Sequence, residues 1–87
     1  MPPQVAPEGV SLAEALRHDK GLSAVQVEKL TGVTHKTVLK YEREGMLNPH
    51  SEKVAALARL YAVRPAVLLA DIRRTYYRNQ RDDAAAA

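Results

Sequence analysis

The sequence SAVQVEKLTGVTHKTVLKYE, residues 23–42, predicts two short helices joined by a tight turn at Gly32. Thr34 precedes the second helix and is a good N-cap, because its hydroxyl can accept an amide proton that the first turn leaves unpaired. The apolar spacing places one side of each helix against a shared core, and the residues that carry it are Val27, Leu30, Val33, Val38 and Tyr41.

The outward side of the second helix carries groups that suit contact with DNA. The residues left facing outward are His35, Lys36, Thr37, Leu39 and Lys40. They present polar donors, apolar methyl groups and two cations on a rod that fits a DNA major groove. Lys36 or Lys40 could donate to guanine O6 and N7, and Thr37 could touch a base or a thymine methyl group. Leu39 could contact a thymine methyl group or a partner surface. His35 is either a contact to a base edge or phosphate, or an exposed residue with no specific role.

The composition excludes several classes of function. The 87 residues allow one small domain with a modest core. There is no cysteine, and the three histidines, His18, His35 and His50, are isolated rather than spaced as metal ligands. No activated nucleophile, carboxylate pair or phosphate loop can be assembled, so we expect no enzyme activity, no cofactor, no metal and no small-molecule ligand.

Hydropathy and the N-terminal sequence bear on location. No apolar run is long enough to cross a bilayer, and the N-terminus lacks the basic start and apolar stretch of a signal peptide. We therefore expect a cytoplasmic protein without a membrane partner.

Positive charge is concentrated in two segments. The net charge is +3, and the pI near 9.5 is a weak indication of a polyanionic partner. Residues 34–43 carry Lys36, Lys40 and Arg43 against Glu42 alone, and residues 71–81 carry Arg73, Arg74, Arg78 and Arg81 against Asp71 alone. Each segment by itself is compatible with an ordinary solvated face, but beside the two-helix motif they favour nucleic acid.

The sequence before the motif predicts an arm and one helix. Residues 1–10 contain three prolines and no helical period, which is typical of a flexible arm. The first helix is expected to begin at Ser11, where Ser11 and Glu14 form a capping-box pattern, and to stop at Gly21. Ser23 is the expected N-cap of the second helix.

The sequence after the motif predicts two more helices and a tail. Ser51 is a plausible cap for a fourth helix, residues 52–62, and Pro65 precedes a fifth, residues 66–72. The basic tail, residues 73–87, could continue the fifth helix to about Arg81 or fray as a solubilising end. No strand competes with these helices. The expected fold is all-α, a compact five-helix bundle over residues 11–72.

Four runs, in this order and spacing, carry a family resemblance: GLS at 21–23, LTGVTHKTVLKYE at 30–42, NP at 48–49 and LARLYAVRPAVLL at 57–69. They resemble the XRE-type helix-turn-helix family of phage repressor and Cro-like DNA-binding domains. The resemblance covers residues 11–72 and implies the lambda-repressor-like five-helix fold. It also implies that His35, Lys36 and Thr37 read bases at the start of the recognition helix, with Lys40 one turn further on.

The same resemblance implies further roles and shows two departures. The implied contacts to the DNA backbone are Ser23, Ala24, Thr34, Arg43, His50 and Lys53, and the possible tail contacts are Arg73, Arg74, Arg78 and Arg81. Arg17 and Glu42 match a pair that forms a structural salt bridge between the first and third helices. Ala24 stands where most members have glutamine. Glu28 stands where a small residue is usual, so its side chain is expected to lean away or to hold the helices further apart.

The expected function is sequence-specific binding of double-stranded DNA by a small phage-type or plasmid-type repressor. A homodimer is expected on DNA, with the fifth helix, the tail and the residues Tyr61, Tyr76 and Tyr77 as interface candidates. One alternative is an antitoxin-type autorepressor that also binds a toxin protein. Another is a MerR-like excisionase, because LTGVTHKTVLKYEREGML also resembles the start of that winged domain. The MerR-like reading is disfavoured, because helical spacing rather than a hairpin follows.

Overall fold

The residues that the structure describes form five helices and no strand. The computed structural model describes the backbone of residues 10–86 and the side chains of residues 10–81. The helices are α1 (Leu12–Asp19), α2 (Ala24–Thr31), α3 (His35–Arg43), α4 (Ser51–Tyr61) and α5 (Pro65–Ala86). The prediction of an all-α five-helix bundle is confirmed. The predicted flexible arm, apart from Val10, lies outside the described residues.

The core lies where the five helices meet. Its largest fully buried side chains are Leu16, Val27, Val38, Tyr41, Tyr61, Leu68, Ile72 and Thr75. Leu30 was predicted in this core, but 62% of its surface is exposed. At about 100° per residue, Leu30 lies roughly 90° from the middle of the buried side of α2, which Ala24 and Val27 define. Tyr61 is only 1% exposed, so its assignment to a dimer interface is wrong.

Several helix boundaries differ from their predicted positions. Helix α1 begins at Leu12, because Ser11 stays extended and its hydroxyl accepts a hydrogen bond from the amide of Glu14. Helix α4 begins at Ser51, and the extended residue before it, His50, makes no side-chain cap. The expectation that Ser51 caps this helix is therefore wrong. Helix α5 begins at Pro65, where the missing N–H costs nothing, and continues past Ile72 to Ala86.

Helix α5 supports the start of α1 through a buried carboxylate. Asp71 is 4% exposed. Its two oxygens accept hydrogen bonds from the amides of Leu12, at 3.1 Å, and Ala13, at 3.0 Å. The first amides of a helix lack partners within it, and their partial positive charge favours an anion. Asp71 therefore acts as a long-range cap in addition to Ser11.

From Ala70 onward, the two sides of α5 differ strongly in their exposure to solvent. The inner side is buried or half-buried at Thr75, Tyr76 and Asn79. The opposite side, called here the outer face of α5, is exposed and consists of Ala70, Arg74, Tyr77 and Arg81. Residues 73–86 of the predicted tail thus continue α5, and the part as far as Arg81 packs on the bundle through one side only.

Candidate DNA-binding interface

The pair α2 and α3 is built from two well-capped helices and a glycine turn. Ser23 caps α2, since its hydroxyl accepts from the amide of Gln26 and the Gln26 side chain accepts from the amide of Ser23. Gly32 ends α2 with a φ of +80°, a left-handed conformation that glycine adopts without strain. Thr34 caps α3 by accepting from the amide of Thr37 at 3.3 Å. These local signals explain why the chain turns between α2 and α3.

An exposed cationic row runs along α3. Lys36, Lys40 and Arg43 are exposed and lie four and three residues apart, which places them on one side of the helix. The opposite side of α3 is buried through Val38 and Tyr41. Helix α3 therefore presents three cations to solvent from a rigid, packed element, a geometry that suits insertion into a major groove.

Two of the other predicted base contacts are less available than expected. Thr37 is half-buried, and its hydroxyl lies 3.0 Å from the hydroxyl of Thr34, so the two side chains form a hydrogen bond. Leu39 was predicted to face outward, but it is partly buried and packs against the core. It lies at the margin of α3 between the cationic row and the buried side. Lys36 and Lys40 are therefore fully available for contact with DNA, whereas Thr37 and Leu39 are only partly accessible.

His35 is held by a residue of α2. One carboxylate oxygen of Glu28, Oε1, accepts from the His35 amide at 2.8 Å and lies 2.7 Å from the ring Nδ1. The hydrogen bond from the amide, followed by that from the ring, lowers the pKa of Glu28 below its usual value. The expectation that Glu28 leans away from α3 is wrong. The larger side chain is accommodated because it reaches the unpaired amide at the start of α3.

The predicted contacts to the DNA backbone are mostly at the surface. The side chains of Ser23, Thr34, Arg43, His50 and Lys53 are exposed, whereas Ala24 is 9% exposed and can offer only its backbone amide. Ser23 and Thr34 stand at the starts of α2 and α3, where helix dipoles favour phosphate. His50 and Lys53 stand at the start of α4.

Arg17 of α1 and Glu42 of α3 form a bidentate ion pair. The Arg17 Nε lies 2.7 Å from Glu42 Oε2, and Nη2 lies 2.9 Å from Oε1. Arg17 Nη1 also donates to the carbonyl of Leu22 at 2.9 Å. The bond to Glu42 raises the pKa of Arg17 despite the opposing effect of burial. This pair joins the inner side of α3 to α1 and to the loop before α2.

Helix α5 holds the end of α3 and the loop that follows it. The side-chain amide of Asn79 donates to the carbonyls of Arg43 and Glu44, each at 2.8 Å. These carbonyls lack helical partners at the end of α3. Sequence reasoning did not identify Asn79, because the contact joins residues 36 and 35 positions apart.

The same loop approaches α5 closely at a buried glycine. Gly45 has a φ of +74°, and a Cβ atom there would overlap the backbone of Ile72 and Tyr76. The next amide, that of Met46, donates to the Ile72 carbonyl at 3.3 Å. Arg73 Nε donates to the carbonyl of Leu47 at 2.9 Å. Arg73, predicted as a tail contact to DNA, is therefore engaged with this loop.

The remaining predicted tail residues are not joined to the cationic row. Arg74, Arg78 and Arg81 are exposed on α5. Helix α3 contacts the inner side of α5, near Tyr76 and Asn79. Because Arg74 and Arg81 lie on the opposite side of the same helix, they face away from α3. The structure thus divides the basic residues into two separate surfaces.

The described part of the chain has no helix with the length and hydropathy needed to cross a membrane. Within the same residues, no three histidine, aspartate or glutamate side chains are grouped closely enough to hold a metal ion.

Comparison with known protein families shows which family the chain belongs to. The model of the helix-turn-helix domain matches residues 11–72, which include α1 to α4 and the first part of α5. No curated protein and no solved structure matches the chain significantly. Since the match covers most of the chain, the protein belongs to the helix-turn-helix domain family.

Proposed function

We propose that this protein is a sequence-specific regulator of transcription, of the small repressor type found in phages and plasmids. Membership of the helix-turn-helix family supports DNA binding. The observation that carries the proposal is the cationic row Lys36, Lys40 and Arg43 on the exposed side of α3. The row lies on the helix that follows the turn of the helix-turn-helix pair, which is the helix expected to enter the groove.

Binding places α3 in the major groove. Lys36 and Lys40 donate to guanine O6 and N7, and Arg43, near the end of the helix, neutralises phosphate. The start of α2, with Ser23, binds a phosphate that flanks the groove. Occupancy of a promoter by the protein then excludes RNA polymerase. The site of action is the nucleoid of the cytoplasm.

A homodimer gives the selectivity that one domain lacks. A single recognition helix reads few base pairs, whereas two copies on a two-fold operator read twice as many. The outer face of α5 is unsuited to a symmetric contact, because it would bring the arginines of both copies together. Counting the protein molecules per duplex by analytical ultracentrifugation tests the dimer.

The main experiment is selection of bound duplexes from a random pool, repeated at two salt concentrations. Enrichment of one motif and a steep loss of binding with salt are expected. Lys36→Ala and Lys40→Ala should each weaken the selected site by about 1–3 kcal/mol and relax the preference at one position. Arg78→Ala is the matched control, because it removes an exposed cation on α5 and should affect all duplexes alike. Weak, uniform binding without an enriched motif would refute the proposal.

A second candidate function is an antitoxin-type autorepressor that also binds a protein. The outer face of α5 favours it, since Tyr77 is 53% exposed there between arginines. Tyrosine and arginine are enriched in protein interfaces. Co-expression with the product of the adjacent gene tests this candidate. A complex that Tyr77→Ala disrupts, with DNA binding retained, would establish it, and a monodisperse free protein would refute it.

A further inference from the structure

We propose that Glu28 sets the specificity of the recognition helix by holding His35 away from DNA. The inference rests on the proposed function, because it concerns which side chains of α3 reach the bases. His35 is the first residue of α3, where a base-reading side chain is expected from the sequence. In the structure its ring is bound to α2, and base reading is left to Lys36 and Lys40.

The geometry of the contact supports this role. A single oxygen, Glu28 Oε1, binds both the backbone amide of His35 at 2.8 Å and the ring Nδ1 at 2.7 Å. The amide fixes the carboxylate at the start of α3, and the carboxylate in turn fixes the ring. Two hydrogen bonds to one atom leave the imidazole little freedom to turn about its χ1 and χ2 bonds toward the groove.

The charge of Glu28 acts in the same direction. The start of a helix is a favourable place for a DNA phosphate, because its amides and dipole attract an anion. Glu28 already places a carboxylate there, so a phosphate next to His35 meets an occupied amide and a like charge. The protein therefore approaches DNA through the part of α3 that begins at Lys36.

The contact can be removed without removing the cap of α3. Thr34 independently accepts from the amide of Thr37. The Glu28 side chain is 39% exposed and the His35 side chain 45%, so neither is part of the buried core. Variants at these positions should fold, and their effects on DNA binding can be separated from effects on stability by thermal unfolding.

The test is a double-mutant cycle with the full chain. Wild type, Glu28→Ala, His35→Ala and the double variant are each used to select from the random duplex pool. In the wild-type background His35→Ala should leave the preferred motif unchanged and alter affinity less than about twofold. Glu28→Ala should add a preference at one further base position, with about tenfold discrimination, as expected for one new base contact. The double variant should lose that added preference.

Two variants separate the hold on His35 from the loss of charge. Glu28→Gln removes the charge but keeps an acceptor oxygen, so it should raise affinity for all duplexes without adding a base preference. Glu52→Gln removes an exposed carboxylate at the start of α4 and should leave the motif unchanged. The proposal is overturned if His35→Ala changes the motif of the wild type, or if Glu28→Ala selects the wild-type motif.

A measurement without DNA keeps this proposal distinct from the proposed function. Long-range proton–nitrogen NMR spectra report which ring nitrogen of His35 carries the proton. In the wild type the Nδ1 form should dominate, because Nδ1 donates to Glu28, and Glu28→Ala should shift the ring toward the Nε2 form. If no duplex is enriched but this shift occurs, the regulator proposal fails while the hold on His35 stands. If the shift is absent, the hold itself is refuted.

Discussion

Replacing Arg17 alone should destabilise the protein more than replacing Arg17 and Glu42 together. In Arg17→Met, the Glu42 carboxylate remains 4% exposed without its bidentate partner. Removing one member of a buried pair costs about 3–5 kcal/mol, whereas hydrophobic replacement of both is often neutral or stabilising. Arg17 also donates to the Leu22 carbonyl, and losing that bond costs about 1 kcal/mol. The double variant Arg17→Met, Glu42→Leu should therefore recover all but about 1 kcal/mol.

The assay is urea-induced unfolding, monitored by the circular dichroism of the helices. For a domain of this size, a loss of about 3 kcal/mol in unfolding free energy lowers Tm by roughly 12–24 °C. Thermal unfolding should therefore also show that Arg17→Met is less stable than the wild type. Arg59→Met, which changes an exposed arginine on α4, is the control and should stay within about 0.5 kcal/mol of wild type. Losses that simply add in the double variant would refute the reasoning, because they would mean that Arg17 and Glu42 are not coupled.

Three further predictions concern backbone contacts and burial. Gly45→Ala should cost far more than Gly32→Ala: both glycines are left-handed, but only at Gly45 would the added Cβ meet the α5 backbone. Gly32→Ala, the control, should lower the free energy of unfolding by about 1–2 kcal/mol. Equal losses for the two variants in urea unfolding would contradict the close approach of Gly45 to α5. Asp71→Ala should cost about 2–3 kcal/mol and Asp71→Asn less, because asparagine keeps one acceptor for the α1 amides; equal losses would argue against capping. Tyr61→Phe should be neutral or stabilise by up to about 1 kcal/mol by thermal unfolding, because the buried hydroxyl has no partner among the described residues. A loss above 1 kcal/mol would show that this hydroxyl is bonded.

The parts of the fold that local rules specify were predicted from the sequence. Ser23, Gly32 and Thr34 specify the boundaries of α2 and α3 through their own hydroxyls and dihedral angles, and all three act as expected. Leu30 was assigned wrongly, because a helix of eight residues offers too few turns to locate the middle of its buried side. Periodicity shows that a helix has an apolar side, but only the neighbouring helices decide where that side is centred.

The sequence predicted the exposed cations of the candidate site but not the contacts that hold α3 in place. Lys36 and Lys40 follow from the spacing of α3, since whatever is not buried must face outward. Glu28 was expected to lean away or to hold the helices further apart, because its size was considered without the amide that it could bind. Asp71 was counted as one acid among arginines, although it lies buried at the start of α1. Such contacts depend on which elements meet in three dimensions, and no pattern along the chain encodes that.

Three polar contacts together set the position of α3. Glu28 binds the start of α3 from seven residues away, Arg17 binds Glu42 in its second half from 25 residues away, and Asn79 binds its last carbonyls from 36 and 35 residues away. Each comes from a different helix, so α3 is fixed along its whole length. Exchanging residues 35–40 into another domain of this family would transfer the exposed side chains of α3. It would not transfer the position of α3, because that position depends on α1, on α2 and on Asn79, in the part of α5 that extends beyond the matched residues.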